Sequence, residues 1–246
     1  IIRDESEDPI AIREEADASN HEKNINEIFT GIMIAENEFL KKGLKGLLRN
    51  NKAGEYYLTD LVDYANKRQL KIGATNANQK EILGANNKEE LTILYKTLIS
   101  MNVDQAKKKG TIFKDESTCY VEGALKVGKD VQIGNNVSIK GDVRLGNNVC
   151  IESNVVLSNV VIGANSTIKD FCSIEDSSIA KNVEVGPFAR LRNGAVLDDS
   201  TKVGNFVEIK QTKMGAGSKA NHHAYLGDAT VGKKVNIGAG TITCNY

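Results

Sequence analysis

The chain has no tryptophan, only two prolines and 5% aromatic residues, which excludes a core built on large rings. It also lacks a surplus of either charge. Its 32 basic and 32 acidic side chains cancel, which argues against a globally basic face for nucleic acid or an anionic membrane, so any anion site must be local. No run approaches the ~20 apolar residues that span a bilayer, and no secretory leader is visible. Cys119, Cys150, Cys172 and Cys244 have no CxxC spacing, so neither a zinc site nor a disulfide framework is indicated, and a reducing cytoplasm is the simplest compartment.

What is present is a period. Val127, Ile133, Ile139, Leu145, Ile151 and Leu157 recur every sixth residue, and after one-residue slips the series continues through Ile162, Ile168, Ile174, Ile179, Val185, Leu191, Leu197, Val203 and Ile209. A fixed short repeat points to a solenoid. Three units of short strand plus tight corner make one triangular coil of about 18 residues, with parallel strands stacked about 4.8 Å apart. The aliphatic residue fills the interior, a second small residue (Val131, Val137, Val143, Val149, Val155) joins it, and Gly and Asn suit corners with left-handed backbone angles. The spacing predicts a parallel β-helix without fixing its hand.

Residues 1–86 do not follow this rule and have α/β character. Ile10–Ile12, Thr30–Ile34 and Leu70–Ile72 are strand-like, while Phe39 to Leu48 and Tyr57 to Lys67 have helical spacing. Asn87 is a favoured N-cap before Glu89 and Glu90, and Leu91, Leu94, Leu98 and Met101 predict the apolar stripe of a longer helix that ends at Lys107–Gly110. The expected organisation is 1–86 as one domain, 87–110 as a helical linker, and 111–246 as the β-helix. The chain starts at Ile1 rather than Met and stops at Tyr246 inside a repeat, so it reads as an internal piece of a longer protein.

Four stretches carry a specific resemblance: Gly186-Pro187-Phe188-Ala189-Arg190-Leu191-Arg192, Val203 to Lys210, Tyr225-Leu226-Gly227-Asp228, and Val235 to Tyr246. They resemble the bacterial bifunctional family with glucosamine-1-phosphate N-acetyltransferase and N-acetylglucosamine-1-phosphate uridylyltransferase activities. More weakly, Gly54 to Asp60 and Gly84 to Asn87 resemble the end of that family's uridylyltransferase domain and its exit into a connecting helix. The resemblance implies the end of a Rossmann-like nucleotidyltransferase domain, a linker helix and a left-handed parallel β-helix of hexapeptide repeats. It further implies a homotrimer with sites between subunits, acetyl-CoA and UTP as co-substrates, Mg²⁺, UDP-N-acetylglucosamine as product and a role in peptidoglycan synthesis.

Arg192 and Lys210 are separated by three hexapeptide units with no slip between them, which stacks them on adjacent coils, where two like charges repel unless an anion lies between or beside them. By resemblance both hold the sugar phosphate; taken alone, the spacing equally describes two solvated cations. Amide formation from an amine and a thioester needs a base and oxyanion donors. His222 and His223 are equivalent on composition, and the family motif selects His222. Glu208 is placed to pair with Arg190 or to orient His222. The resemblance also implies that Tyr225 and Asn236 contact the sugar, that Ala239, Asn245 and Tyr246 contact acetyl-CoA, and that Glu14 and Asn86 bind the nucleotide sugar, Asn86 also touching Mg²⁺. Glu15 is an alternative to Glu14. Phe29, Asn221 and His223 depart from the family pattern. Two further readings stand beside this one: an inactive trimerisation scaffold, and a sugar-nucleotide pyrophosphorylase with a regulatory β-helix.

Overall fold

A computed structural model describes residues 1–245, in two compact units, Ile1–Gly84 and the chain from Ala85 onward. The first is an α/β segment. Ile2–Arg3 pairs antiparallel with Pro9–Ala11, and helices α1 (Asn37–Leu44) and α2 (Asp60–Asn66) complete it. Leu61, Val62 and Ala65 turn one face of α2 inward with Ala11, as the helical spacing predicts, whereas Leu58 lies before the helix and is exposed. Gly43 lets α1 approach α2, since a Cβ there would lie 2.6 Å from Leu61 Cδ2. Phe39 meets Tyr64 edge to face at 5.8 Å.

The strands expected at Thr30–Ile34 and Leu70–Ile72 do not form. A strand needs a partner for its backbone groups, and Ile32 and Ile34 stand 73% and 97% exposed, with no ladder beside them.

The second unit is a parallel β-solenoid of about seven turns. Its register runs Ile139–Leu157–Ile174–Leu191–Ile209–Leu226, and the steps from Leu157, Ile174 and Ile209 are each one residue shorter than the other two. Two parallel columns, Leu145–Ile162–Ile179–Leu197–Met214 and Ile133–Ile151–Ile168–Val185–Val203–Ala220, fill the other two sides, and nearly all of these residues are fully buried. The one-residue slips in the sequence are coils shortened at a corner. Small side chains occupy the space between columns; the hydroxyls of Ser166, Thr212 and Ser218 bond the backbone of the next coil, whereas the buried Thr201 Oγ1 has no hydrogen-bond partner. Ser166 donates to Ala180 O at 2.9 Å and accepts from Val183 N at 3.0 Å.

The corners form columns of left-handed backbone. One contains Asp130, Asn148, Asn165, Asn182, Ser200 and Lys234, all with φ between 55° and 58°. Asn tolerates that region because its short amide bonds locally, and here it also bonds up the column, Asn148 Nδ2 donating to Asn165 Oδ1 at 2.9 Å. A second column begins with Asn136 and Asn154 and then changes chemistry. Phe171, Phe188, Phe206 and His223 follow, stacked at 4.8, 5.4 and 5.1 Å between ring centroids.

Helix α3 (Lys88–Lys108) packs its C-terminal half on strand Tyr120–Val127. Asn87 accepts from Glu90 N at 2.9 Å and Glu90 accepts in return from Asn87 Nδ2 at 2.9 Å and Asn86 N at 2.7 Å, a reciprocal cap. The buried stripe is Ile99, Val103 and Ala106, with Val103 joining Cys119 and Val121 in the core. Leu91 and Leu98 of the expected stripe are more than half exposed, because only the last turns rest on the first coil.

Candidate functional site

The register places Arg192 beside Lys210, and Arg190 beside Glu208, which in turn lies beside Tyr225. All point outward from strands whose alternate residues, Leu191, Ile209 and Leu226, are buried. The anion that two stacked cations require is supplied by the protein. Arg192 Nε donates to Glu208 Oε1 at 2.6 Å, with Arg190 Nη1 3.8 Å from the same oxygen, and Lys210 Nζ donates to Asp228 Oδ2 at 3.2 Å. Arg190 also faces Glu175 at 3.8 Å. Three cations therefore meet three carboxylates, and the patch carries no net charge.

These bonds set the protonation of the group. Glu208, by its hydrogen bond first and its charge second, makes the Arg192 guanidinium harder still to deprotonate. Asp228 is held below the usual carboxylate range, first by the amide of Asn245 and then by Lys210. Tyr225 OH donates to Asn245 Oδ1 at 3.2 Å, so Tyr225, Asn245, Asp228 and Lys210 form one hydrogen-bonded chain.

His222 lies three residues before Tyr225, at the corner where the strand turns. Its Nδ1 is 2.7 Å from Asn205 Oδ1 on the coil below, and the two residues are register partners. Glu208 does not orient it; that carboxylate is taken by the arginines. His223, the chemically equivalent neighbour, is instead the last rung of the aromatic column. Asn221 needs no left-handed backbone, so a side chain is tolerated there, but it crosses closely over Gly204, where any Cβ would collide with Asn221 O.

Asn236 pairs with Lys219, on the side of the corner opposite to Arg192 and Lys210. Ala239 lies near that same corner, next to Gly240, whose N–H donates to His223 O at 2.8 Å. The expected set is thus divided between two faces that meet at one corner: Asn236, Ala239 and His222 on one side, Arg192, Lys210, Tyr225 and Asn245 on the other. Tyr246 lies outside the described residues.

Residues 116–214 match the family model described as the GMPPB C-terminal domain, which belongs to a sugar-nucleotide pyrophosphorylase. Among solved structures, the chain is similar to a perosamine N-acetyltransferase variant from Caulobacter crescentus in complex with CoA and GDP-perosamine, at 15% identity and TM-score 0.35, covering 63% of this chain and 61% of that one. It is similar to a UDP-N-acetylglucosamine acyltransferase from Francisella novicida at 17% identity and TM-score 0.31, over 48% and 59% of the two chains. The corresponding acyltransferase from Campylobacter jejuni matches at 18% identity and TM-score 0.28, over 51% and 67%. The chain spans about three fifths of the length of the first two.

In the first unit Glu14 and Glu15 both line a hollow with Ile2, Ile12, Glu27 and Phe29; Glu14 accepts from Thr59 Oγ1 at 3.0 Å, and Glu15 is the more exposed, at the start of a short 3₁₀ turn. Asn86 belongs to the second unit, where its backbone and amide nitrogens both donate to Glu90 at the start of α3. Among the described residues there is no cluster of three His, Cys, Asp or Glu side chains able to hold a metal. No described helix is long and apolar enough to cross a membrane.

Proposed function

We propose that this chain belongs to a bifunctional enzyme of UDP-N-acetylglucosamine synthesis, acting as a homotrimer in the cytoplasm on a left-handed β-helix. Its first reaction is acetyl transfer from acetyl-CoA to glucosamine-1-phosphate; uridylyl transfer from UTP to N-acetylglucosamine-1-phosphate follows, with Glu14 contributed by the first unit. One observation carries the reading. Arg192, Lys210 and Tyr225 lie along one face of adjacent coils, with His222 at the corner where that face begins, in the stretches where the sequence resembles the family most closely.

In this reading the phosphate shares Arg192 and Lys210 with Glu208 and Asp228. Tyr225 and Asn236 hold the sugar and Ala239 and Asn245 face acetyl-CoA. Asn236 and the cation pair lie on opposite sides of a corner, and the trimer, with neighbouring subunits closing the site between them, is supported by the resemblance. His222 takes a proton from the amine as nitrogen bonds the thioester carbonyl carbon. The C–S bond then breaks, and the departing thiolate receives that proton.

Release of CoA thiol on mixing acetyl-CoA with glucosamine-1-phosphate, followed for this chain and for the full-length protein, is the test. Arg192→Ala and Lys210→Ala should each raise KM for the sugar phosphate by about 10- to 100-fold, as loss of a hydrogen bond to a charged group does. His222→Ala should lower kcat by about 100-fold or more. Absence of thiol release from both proteins refutes the acetyltransferase reading.

A second reading is favoured by the match over 116–214, which contains Arg192 and Lys210 but stops before His222. There the β-helix is a regulatory part of a sugar-nucleotide pyrophosphorylase, or an inert trimerisation scaffold. Nucleotidyl transfer without acetyl transfer in the full-length protein would support it.

A further inference from the structure

We propose that Asn205 is a positioning residue that fixes His222 as its Nδ1–H tautomer and presents Nε2 as the basic nitrogen. The inference rests on the acetyl-transfer reading for its chemical consequence, and on geometry for the pairing itself. A neutral imidazole has one N–H and one lone pair, and the group facing one nitrogen decides what the other can do. The group facing Nδ1 is the carboxamide oxygen of Asn205, an acceptor, at 2.7 Å. The proton therefore resides on Nδ1, and Nε2 keeps the lone pair that an ammonium or attacking amine must meet.

Two further observations make this a held geometry rather than a chance approach of exposed side chains. Asn205 and His222 are register partners on adjacent coils, so the backbone ladder sets their separation before any side chain turns. The next residue of each strand is also a rung of the stacked column: Phe206 follows Asn205, His223 follows His222, and their rings stack at 5.1 Å. Both of these rungs have left-handed backbone, with φ of 55° and 42°. The pair is thus anchored on both coils one residue away. A carboxylate in the same place would stabilise the imidazolium; a neutral amide orients the ring without adding charge to it.

The experiment reads the tautomer directly, by ¹⁵N NMR of histidine-labelled chain, with His222 assigned from the His222→Gln spectrum. The native chain and Asn205→Asp, whose carboxylate also accepts from Nδ1, should show the Nδ1–H form. Asn205→Ala should shift His222 towards the Nε2–H form and lower kcat by at least about tenfold with little change in KM, and Asn205→Asp should recover most of that loss. An Nε2–H form in the native chain, or a tautomer unmoved by Asn205→Ala, overturns the proposal whether or not the protein transfers acetyl groups. The Nδ1–H form in a native protein that transfers no acetyl group overturns the acetyltransferase reading and leaves the pairing standing.

Discussion

Glu208 Oε1 accepts a hydrogen bond from Arg192 Nε at 2.6 Å, one coil away, so the strongest cation of the candidate site is neutralised by the protein itself. An incoming phosphate has to compete with that carboxylate rather than enter an empty positive pocket. The pair is partly solvated, with side chains 24% and 31% exposed, so water screens it and it adds little to the stability of the fold.

Glu208→Gln should therefore leave the melting temperature nearly unchanged and tighten phosphate binding by up to about fivefold, with a steeper salt dependence. Titration calorimetry with inorganic phosphate at two ionic strengths checks it. Weaker binding would mean that Glu208 serves chiefly to orient Arg192.

Burial pushes the Cys172 thiol up to about 11, against an ordinary value near 8.5. The unfolded chain loses this proton first as pH rises, so the contribution is intact below the ordinary thiol pKa and is lost as pH climbs towards 11. Cys172→Val, which suits a column of buried Val residues, should flatten the alkaline fall in stability measured by urea unfolding. At pH 8 a thiol reagent should label the exposed Cys244 and spare Cys172.

Two glycines should fail for different reasons. At Gly204, which has ordinary φ, Ala collides with the carbonyl of Asn221 on the next coil and should cost about 1–3 kcal/mol or more. At Gly194, with φ of 85° and open space around it, Ala meets only backbone strain of about 1 kcal/mol. Thermal unfolding of the two variants should rank them in that order.

Phe188 is 46% exposed yet stacks on Phe171 and Phe206. Phe188→Ala should cost about 1–3 kcal/mol, from two aromatic contacts of about 0.5–1.5 kcal/mol each. Val156→Ala, 41% exposed and outside the column, should change stability by less than about 0.5 kcal/mol. Equal effects in denaturant melts would show that the column contributes nothing beyond its area.

The solenoid is legible in the sequence because its period is dictated by stacking: each interior residue meets its equivalent one coil away, so Leu191 and Ile209, or Arg192 and Lys210, can be paired by counting. Counting in whole hexapeptide units does not reach Asn205, because the coil between it and His222 is one residue short. The slip between Ile209 and Met214 is the available signal. The choice Glu208 makes between Arg192, Arg190 and His222 depends on rotamers that spacing does not specify. In the first unit, Thr30–Ile34 has strand composition without a strand, since pairing is a tertiary fact and composition only permits it. The expected stripe on α3 is misplaced for a related reason. Its helical period is correct, but which side is buried depends on where the first coil meets it.

Each coil of the solenoid is held almost wholly by the coil before and the coil after. Pulled from its two ends, such a molecule should not rupture at once but peel, surrendering one turn at a time. At roughly 3.4 Å per residue each release would lengthen the chain by about 60 Å. A force trace would then show a staircase, whose tread changes height where asparagine corners give way to stacked phenylalanine.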